Sequence, residues 1–518
     1  MYEKLLDTED SRSLAYKLAG LDILLESKLN YEAWLLLLFC VAPSVGYAQR
    51  CAPPSETERM AAAADDLLRS YVARIASLPE GCFGKDRARG QVHLSNKHGG
   101  PNIRSAEAAN NFAYTASLAD FGAECCLRWP HTKPAFEEAS RSAVAPPDPN
   151  PEAIAIEQDD RAAWLKDLAF QRAHIHANYP NGKVQVTDST FITAHKDVKH
   201  QKLFSTADST WRRKNLDTLV AIETEEADQA GADVTARLRH AAWWKETIGN
   251  QRCLWTQAPT ANRRHYLSPP ELEFAMRRLL RLPLRNLTAG ALCGCGTAVD
   301  PFGDHADSCR DLQGFRGKRH DTVNNVCVFA TARAAHLAPA IEPPKLNEDG
   351  NGRPADTLVQ NGLEDVFGHR QVCYDVVGVG SSIEQYLVAA CNDVGGAMEF
   401  GVKRKLRSTR QLEDDKVVVP MPFTSQGSLH ANFSISYEQW AVHWATRGEG
   451  RSKDAQKALV QTWLAQAYAT VQKAQWKLTV QLVNRLGAVN ARSGQLMKGL
   501  LPINLHDVEA SKVLKVPS

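Results

Sequence analysis

Apolar positions in the first quarter of the chain recur at helical spacing. LAYKLAGLDILLESKLNYEAWLLLLFCVA (14–42) carries them three and four apart, and PSETERMAAAADDLLRSYVARIASLPE (54–80) opens with a Ser/Thr cap before strong helix formers. GKDRARGQVHLSNKHGGPNIRS (84–105) then reads as a Gly-rich loop, after which SAEAANNFAYTASLADFGAECCLRW resumes a helix. Past the Pro-rich VAPPDPNPEAI (144–154), residues 155–290 read as helices and loops rich in Arg, Trp and His. The pattern changes after about 291. One helix, RHDTVNNVCVFATARAAHL, precedes the short β-prone runs TLVQ, QVCYDVVGVG and KVVVPMPFTS, and helices return at 436–446 and 453–480.

Length and composition add limits. A chain of 518 residues is too long for one core and suggests several domains. Its 44% hydrophobic and 23% charged residues are ordinary for a globular protein, and a net charge of +2 makes no global field for nucleic acid. Twelve cysteines at irregular spacing suit a reducing compartment better than a disulfide framework. The run WLLLLFCVA (Trp34–Ala42) is too short to span a bilayer and sits behind a charged start, so it reads as a buried helix with no membrane partner.

Two groups of residues carry candidate chemistry. Cys293, Cys295, His305 and Cys309 follow C-x-C-x9-H-x3-C, two tight pairs that suit tetrahedral zinc. Gly294, Gly296, Pro301 and Gly303 let the connection bend around an ion. With all four positions filled by protein, such a site is structural. Downstream, Asp356 in GRPADTLV and Asp375 in QVCYDVVGV each lie beside a β-prone run, and Lys403 and Lys405 stand in GVKRKLRSTR. Two acids on neighbouring strands can hold Mg²⁺, and a lysine can orient water or offset charge at a scissile phosphate. Spacing alone leaves this open, since acids beside strands are common and KRKLRSTR also fits a solvated face.

Other features read as bland. VVGVGSS lacks a P-loop pattern, and WRRK (211–214) and Arg263-Arg264-His265 fit ordinary surface as well as base stacking. Cys125, Cys126, Cys253, Cys327 and Cys391 lack ligand spacing and suit packing.

The order of the C-terminal motifs is more specific than any one of them. C-x-C, GDHADSC, Arg319-His320, Glu342-Pro343, RPAD, YDVVGV, the lysine cluster and VPMPFTSQGSL follow one another, and WKLTVQLVNRLGAVNAR closes the run. This resembles the C-terminal region of non-LTR retrotransposon polyproteins, where a CCHC knuckle precedes a restriction-like endonuclease of the PD-(D/E)XK type. YEAWLLLLFCVAPSVGYAQRCAPP and QVHLSNKHGGPNIRSAEAANNFAYTASL are similar to the reverse-transcriptase thumb, and CLWTQAPT with ELEFAMRRLLRLPL to the connector.

The resemblance implies a multidomain chain with a mostly α N-terminal half and an α/β nuclease domain. A thumb-like region would span 1–142, linker and connector 143–290, the knuckle 291–318, the endonuclease 319–500 and a tail 501–518. It implies structural zinc, catalytic Mg²⁺ on Asp356 and Asp375, assistance from Lys403 or Lys405, and an approach of Glu342 to the metal. Nucleic-acid contacts are expected at Arg319, His320 and Arg353. The partners would be target DNA and element RNA, the compartment the nucleus, and the reaction nicking of DNA for target-primed reverse transcription. The pairs Asp65-Asp66, Asp159-Asp160 and Asp414-Asp415 lack the preceding aromatic of a polymerase palm, so an N-terminally truncated copy without polymerase carboxylates is expected. Lys405-Leu406 stands where a lysine–tyrosine ending is usual, and DVVGVG departs from the more usual threonine- or glutamine-containing form. The rival readings are a catalytically inactive nucleic-acid-binding remnant and a degenerate frame without stable function.

Overall fold

In the computed structural model the described residues are 7–51, 54–110, 113–114, 116–117, 127–132, 134, 200–229, 234–248, 254–257, 266–341, 355–360, 363, 371–408, 416–447 and 452–492. The expected boundary at 142/143 falls outside them, as do Glu342 and Arg353. The chain divides into two compact units, Met1–Gly231 and Ala232–Ser518.

The first unit is helical, as its apolar periodicity requires. Ser13 caps α1 (Leu14–Glu26), its hydroxyl accepting from Tyr16 N at 3.0 Å. α2 (Asn30–Cys51) contains a π-helical stretch at Leu37–Val41. Trp34 and Leu37 are fully buried while Phe39 is 51% exposed. This helix is long and apolar enough to cross a membrane, although the run Trp34–Ala42 alone is not, and its inner face is core. α3 (Pro54–Ile75) accepts the Asn30 amide at Ile75 O, 2.6 Å. Asp65, read above only as part of an acidic pair, is buried and accepts from Ser105 Oγ and Ala106 N, both at 2.6 Å. It thereby starts α5 (Ala106–Asn110). The Gly-rich stretch is helical at its start, as α4 (Asp86–Gln91), and α6 (His200–Gln229) completes the unit.

The second unit joins helices to a small mixed sheet. Its helices begin with α7 (Val234–Thr247), α8 (Pro269–Leu279), α9 (His305–Ser308) and α10 (Gln313–Val323). Ser268 and Glu271 form a capping box at the start of α8. The strands are β1 (Pro339–Ile341), β2 (Thr357–Gln360), β3 (Gln371–Val379) and β4 (Lys416–Thr424) in order β1-β2-β3-β4. The first two pairings are antiparallel and β3–β4 is parallel. The parallel crossover runs through α11 (Glu384–Asn392) and α12 (Gly396–Ser408). Three β-prone runs thus became β2, β3 and β4, while β1 escaped notice because three residues carry no periodicity. Pro420 and Pro422 are tolerated because β4 lies at the edge of the described sheet.

α13 (Ala431–Thr446) and α14 (Lys453–Arg492) cover one face. There Trp440 Nε1 donates to Tyr374 Oη at 3.0 Å, and Tyr437 Oη donates to Cys327 O at 2.7 Å, so both buried aromatics satisfy their polar ends. The opposite face receives Val379, Tyr386, Leu387 and Ala397 in a separate apolar cluster. The knuckle is no isolated module: Cys293 and Cys309 share a core with Phe274 of α8 and Trp476, Leu482 and Leu486 of α14.

Two buried ion pairs fix the short helix α9. Arg281 grips Asp304 bidentately at 2.7 and 3.2 Å. Arg319 Nη1 donates to Asp307 Oδ1 at 2.8 Å, and Gln475 bonds both partners, its Nε2 lying 3.1 Å from Asp307 Oδ1. Arg319, expected to touch nucleic acid, is only 6% exposed and spends its guanidinium inside the fold. Truncating it strands a buried carboxylate. Arg319→Met is therefore expected to lower stability by about 3–5 kcal/mol, read as a lower urea midpoint with an unchanged slope.

Candidate functional site

Two sites of different chemistry lie in the second unit. At the first, the backbone of 292–298 folds into a tight hairpin. Cys293 N donates to Thr297 O at 3.0 Å and Gly296 N to Cys293 O at 2.9 Å. Gly296 takes φ +86°, a conformation that favours glycine. Gly303, at φ +80°, also lies where a Cβ would come within 2.7 Å of Leu284 Cδ1. Asp300 caps the incoming turn, accepting from Phe302 N and His305 N, each at 2.8 Å, so His305 begins α9 facing the hairpin.

The four expected ligands converge. Cys293 Sγ lies 3.6 Å from Cys309 Sγ, Cys295 Sγ lies 3.4 Å from His305 Nε2, and all four donor atoms fall within 4.8 Å of one another. Tetrahedral zinc, with metal–sulfur bonds of about 2.3 Å, requires sulfurs separated by about 3.8 Å. The cluster can hold a metal ion, and the donor set matches zinc. Burial and the Cys293 sulfur push the Cys309 thiol up to about 12. Burial also opposes the Cys295 thiolate, but bonds from Thr297 outweigh it and bring that thiol below its ordinary value. Burial lowers His305, with Asp300 pulling the other way, which favours the neutral imidazole a metal needs.

The second site is the acidic end of β2 and β3. Thr357 pairs with Tyr374, so continuing the register by one residue sets Asp356 beside Asp375. Asp356 also grips both neighbours of Asp375, since its N donates to Tyr374 O at 3.1 Å and its Oδ2 accepts from Val376 N at 2.7 Å. Asp375 is 2% exposed, and Lys405 Nζ from α12 lies 2.8 Å from its Oδ2. That ammonium neutralises the carboxylate without a well-directed hydrogen bond, so Oδ2 keeps its acceptor capacity. Lys403, two residues earlier on the same helix, is exposed. Two residues turn a helix by more than half a revolution, which separates the lysines that spacing alone left equivalent.

His320 approaches the same acids from α10. Its Nε2 lies 3.1 Å from Asp356 Oδ2 and 2.9 Å from Val376 O, and its Nδ1 lies 3.3 Å from Asp321. Burial alone would lower this imidazole, but its bond to Asp356 and the charge of that carboxylate raise it to about 9. Asn324 supports the same corner, receiving Thr357 Oγ1 at 2.8 Å and reaching Asp356 O at 3.4 Å. Sequence reading missed Asp300, Asp304, Asp307, Asn324 and Gln475. A hint existed in DPFGDHAD, where aspartates crowd a ligand histidine.

Compared with known proteins, the chain matches no family model and no curated protein.

Zinc-supplemented protein is expected to carry about one zinc per chain by elemental analysis, and Cys309→Ser to carry none. Because the ligands must lose protons, affinity is expected to fall steeply on acidification. A second expectation concerns His320. Its raised pKa means that the Asp356 pair stabilises fully below about pH 6.5 and is lost as pH rises through about 9. In chelator, wild type is therefore expected to lose urea resistance between those values relative to His320→Ala.

Proposed function

We propose that the second unit is a metal-dependent endonuclease of the restriction-like PD-(D/E)XK type, from a non-LTR retrotransposon protein that nicks target DNA for target-primed reverse transcription. The observation that carries this reading is the meeting of Asp356, Asp375 and Lys405 at the β2–β3 end, with Lys405 Nζ 2.8 Å from Asp375 Oδ2. One acid just before β2, one on the adjacent β3 and a lysine from the crossover helix are the parts that phosphodiester hydrolysis requires.

The carboxylates suit Mg²⁺, a hard cation that takes oxygen ligands, and Asp375 Oδ2 retains the acceptor capacity for it. Bound there, Mg²⁺ would supply Lewis acidity at a phosphoryl oxygen and acidify a water. The protein's own groups do the rest. Asp375 on β3 and Asp356, bonded to the backbone of Tyr374 and Val376, fix two anionic carboxylates side by side. Lys405 places an ammonium beside them, where it offsets charge building on phosphorus and orients the water. His320 holds Asp356 in place. The hydrolysis joins the water oxygen to phosphorus and expels the 3′ oxygen, which takes a proton and leaves a 3′-hydroxyl suited to priming. Zinc on Cys293, Cys295, His305 and Cys309 would be structural, since no ligand position is left open.

A second reading has one observation behind it: both acids are already paired, Asp375 with Lys405 and Asp356 with His320. A catalytically inactive nucleic-acid-binding remnant would keep such a closed polar network.

Supercoiled plasmid and Mg²⁺ separate the two. Wild type is expected to accumulate nicked circles, Lys405→Ala and Asp375→Asn to lose about 100-fold or more of the rate, and Lys403→Ala to stay within about twofold. DNA binding without nicking by wild type would establish the remnant, and equal nicking by all four proteins would remove the endonuclease.

A further inference from the structure

Asp356 stands one residue before β2, so the sheet ladder does not hold it as it holds Asp375. Its N donates to Tyr374 O, but its carbonyl takes no backbone donor among the described residues. One side chain fills that role. Asn324 Nδ2 lies 3.4 Å from Asp356 O, and Asn324 Oδ1 accepts from Thr357 Oγ1 at 2.8 Å. A single amide therefore spans consecutive residues and sets the plane of the peptide that joins them. The reverse orientation of the amide would press its oxygen against the Asp356 carbonyl oxygen, so the Thr357 hydroxyl fixes which end faces the aspartate.

Packing alone does not call for an amide there. Asn324 is 4% exposed, and its helix neighbours Val323, Cys327 and Val328 are buried. An asparagine in such surroundings destabilises unless it is bonded, whereas leucine has the same branched shape and no polar group to satisfy. The backbone is unusual as well. From Asn324 to Ala330 the helix widens into a π-helical stretch, a form that is rare and frequent at functional sites.

His320 lies one turn before Asn324 on the same helix face, and Asn324 N donates to His320 O, so the helix is continuous between them. His320 Nε2 meets the Asp356 carboxylate at 3.1 Å while Asn324 meets its carbonyl. One helical turn thus holds the aspartate at both ends. With N and O both bonded, the Asp356 backbone cannot rotate, and its carboxylate is aimed at the position beside Asp375. We infer that Asn324 is a positioning residue for the metal-binding carboxylate of Asp356, acting on that residue's carbonyl and touching neither cation nor substrate. The inference rests on the endonuclease reading for its purpose, but metal affinity reports it without cleavage. Groups that orient a metal ligand change affinity about 10- to 100-fold when removed.

The test titrates the full chain with Mn²⁺, a cation that shares the oxygen preference of Mg²⁺, and reads free Mn²⁺ by electron paramagnetic resonance. The relevant site is the binding that Asp356→Ala abolishes. Asn324→Leu is expected to weaken it about tenfold or more and to raise the Mg²⁺ concentration for half-maximal plasmid nicking by a similar factor. The rate at saturating Mg²⁺ should stay within about threefold of wild type. Asn325→Leu, the same change at the exposed neighbour, should match wild type throughout. Thr357→Val frees the amide to turn and should weaken Mn²⁺ in the same direction by a smaller factor. It decides the question if zinc content and urea midpoint show that Asn324→Leu does not fold. A packing role alone predicts a lower urea midpoint with unchanged Mn²⁺ affinity, and that result overturns the inference, as does an equal loss in Asn325→Leu. Wild-type Mn²⁺ binding without nicking would remove the endonuclease and leave the titration to decide the role of Asn324. Mn²⁺ binding that Asp356→Ala does not weaken would remove both.

Discussion

The second unit hangs on an ion pair that never meets water. Arg319 and Asp307 have side-chain exposures of 5% and 0%, and Gln475 bonds to both. Asp307 belongs to the helix bearing His305, Arg319 to the helix bearing His320, and Gln475 to the long final helix. One polar knot therefore fixes the metal-ligand helix, the helix that approaches the acids and the helix that covers the sheet. Such a pair adds little net stability over apolar residues of equal volume, because both charges lose their hydration. Its value is positional. Breaking one side leaves a charge with nowhere to go, so alternative packings of these three helices are costly.

Arg281 and Asp304 repeat the device three residues earlier, at the N-cap of the same helix. Burial opposes ionisation of Asp304, but Arg281, aided by Arg278 and Arg239, more than compensates and holds its carboxyl below the usual range. Held from both sides, His305 has no freedom to swing away from the sulfurs. At the sheet, precision has another origin. A carboxylate on a strand is fixed by the ladder, and a lysine on the crossover helix is fixed by how that helix packs. The Asp375–Lys405 pair thus reports the parallel β3–β4 connection as much as local preference.

What the sequence disclosed follows from what is local. The cysteine–histidine spacing is a local property, and its four residues do converge. The runs TLVQ, QVCYDVVGV and KVVVPMPFT are β-branched and turn-bounded, and each is a strand. Lys405 could not be told from Lys403, because helix phase against the sheet depends on tertiary packing. Arg319 was misplaced for a related reason: arginine is almost never buried unless paired, and its partner lies 12 residues away in another helix. His320 is expected from sequence to touch nucleic acid, yet its Nε2 lies against Val376 O, 56 positions on. The role of Asp65 as a helix cap was hidden likewise, since its contacts span 40 and 41 positions.

The two candidate metal sites also explain each other's composition. Sulfur and imidazole select a soft or borderline ion and carboxylates a hard one, so the endonuclease proposed above would load two different metals without exchange between them. The sulfur cluster draws its ligands from a hairpin and a helix end that also bury Cys293 and Cys309 against α8 and α14. Binding an ion there is therefore coupled to the packing of the whole unit, because the unfolded chain holds no preformed cluster. The acids behave differently. They are held by strands and by Lys405 and His320, so their geometry exists before any cation arrives. A site assembled by its metal suits architecture, while one assembled beforehand would suit the turnover proposed above.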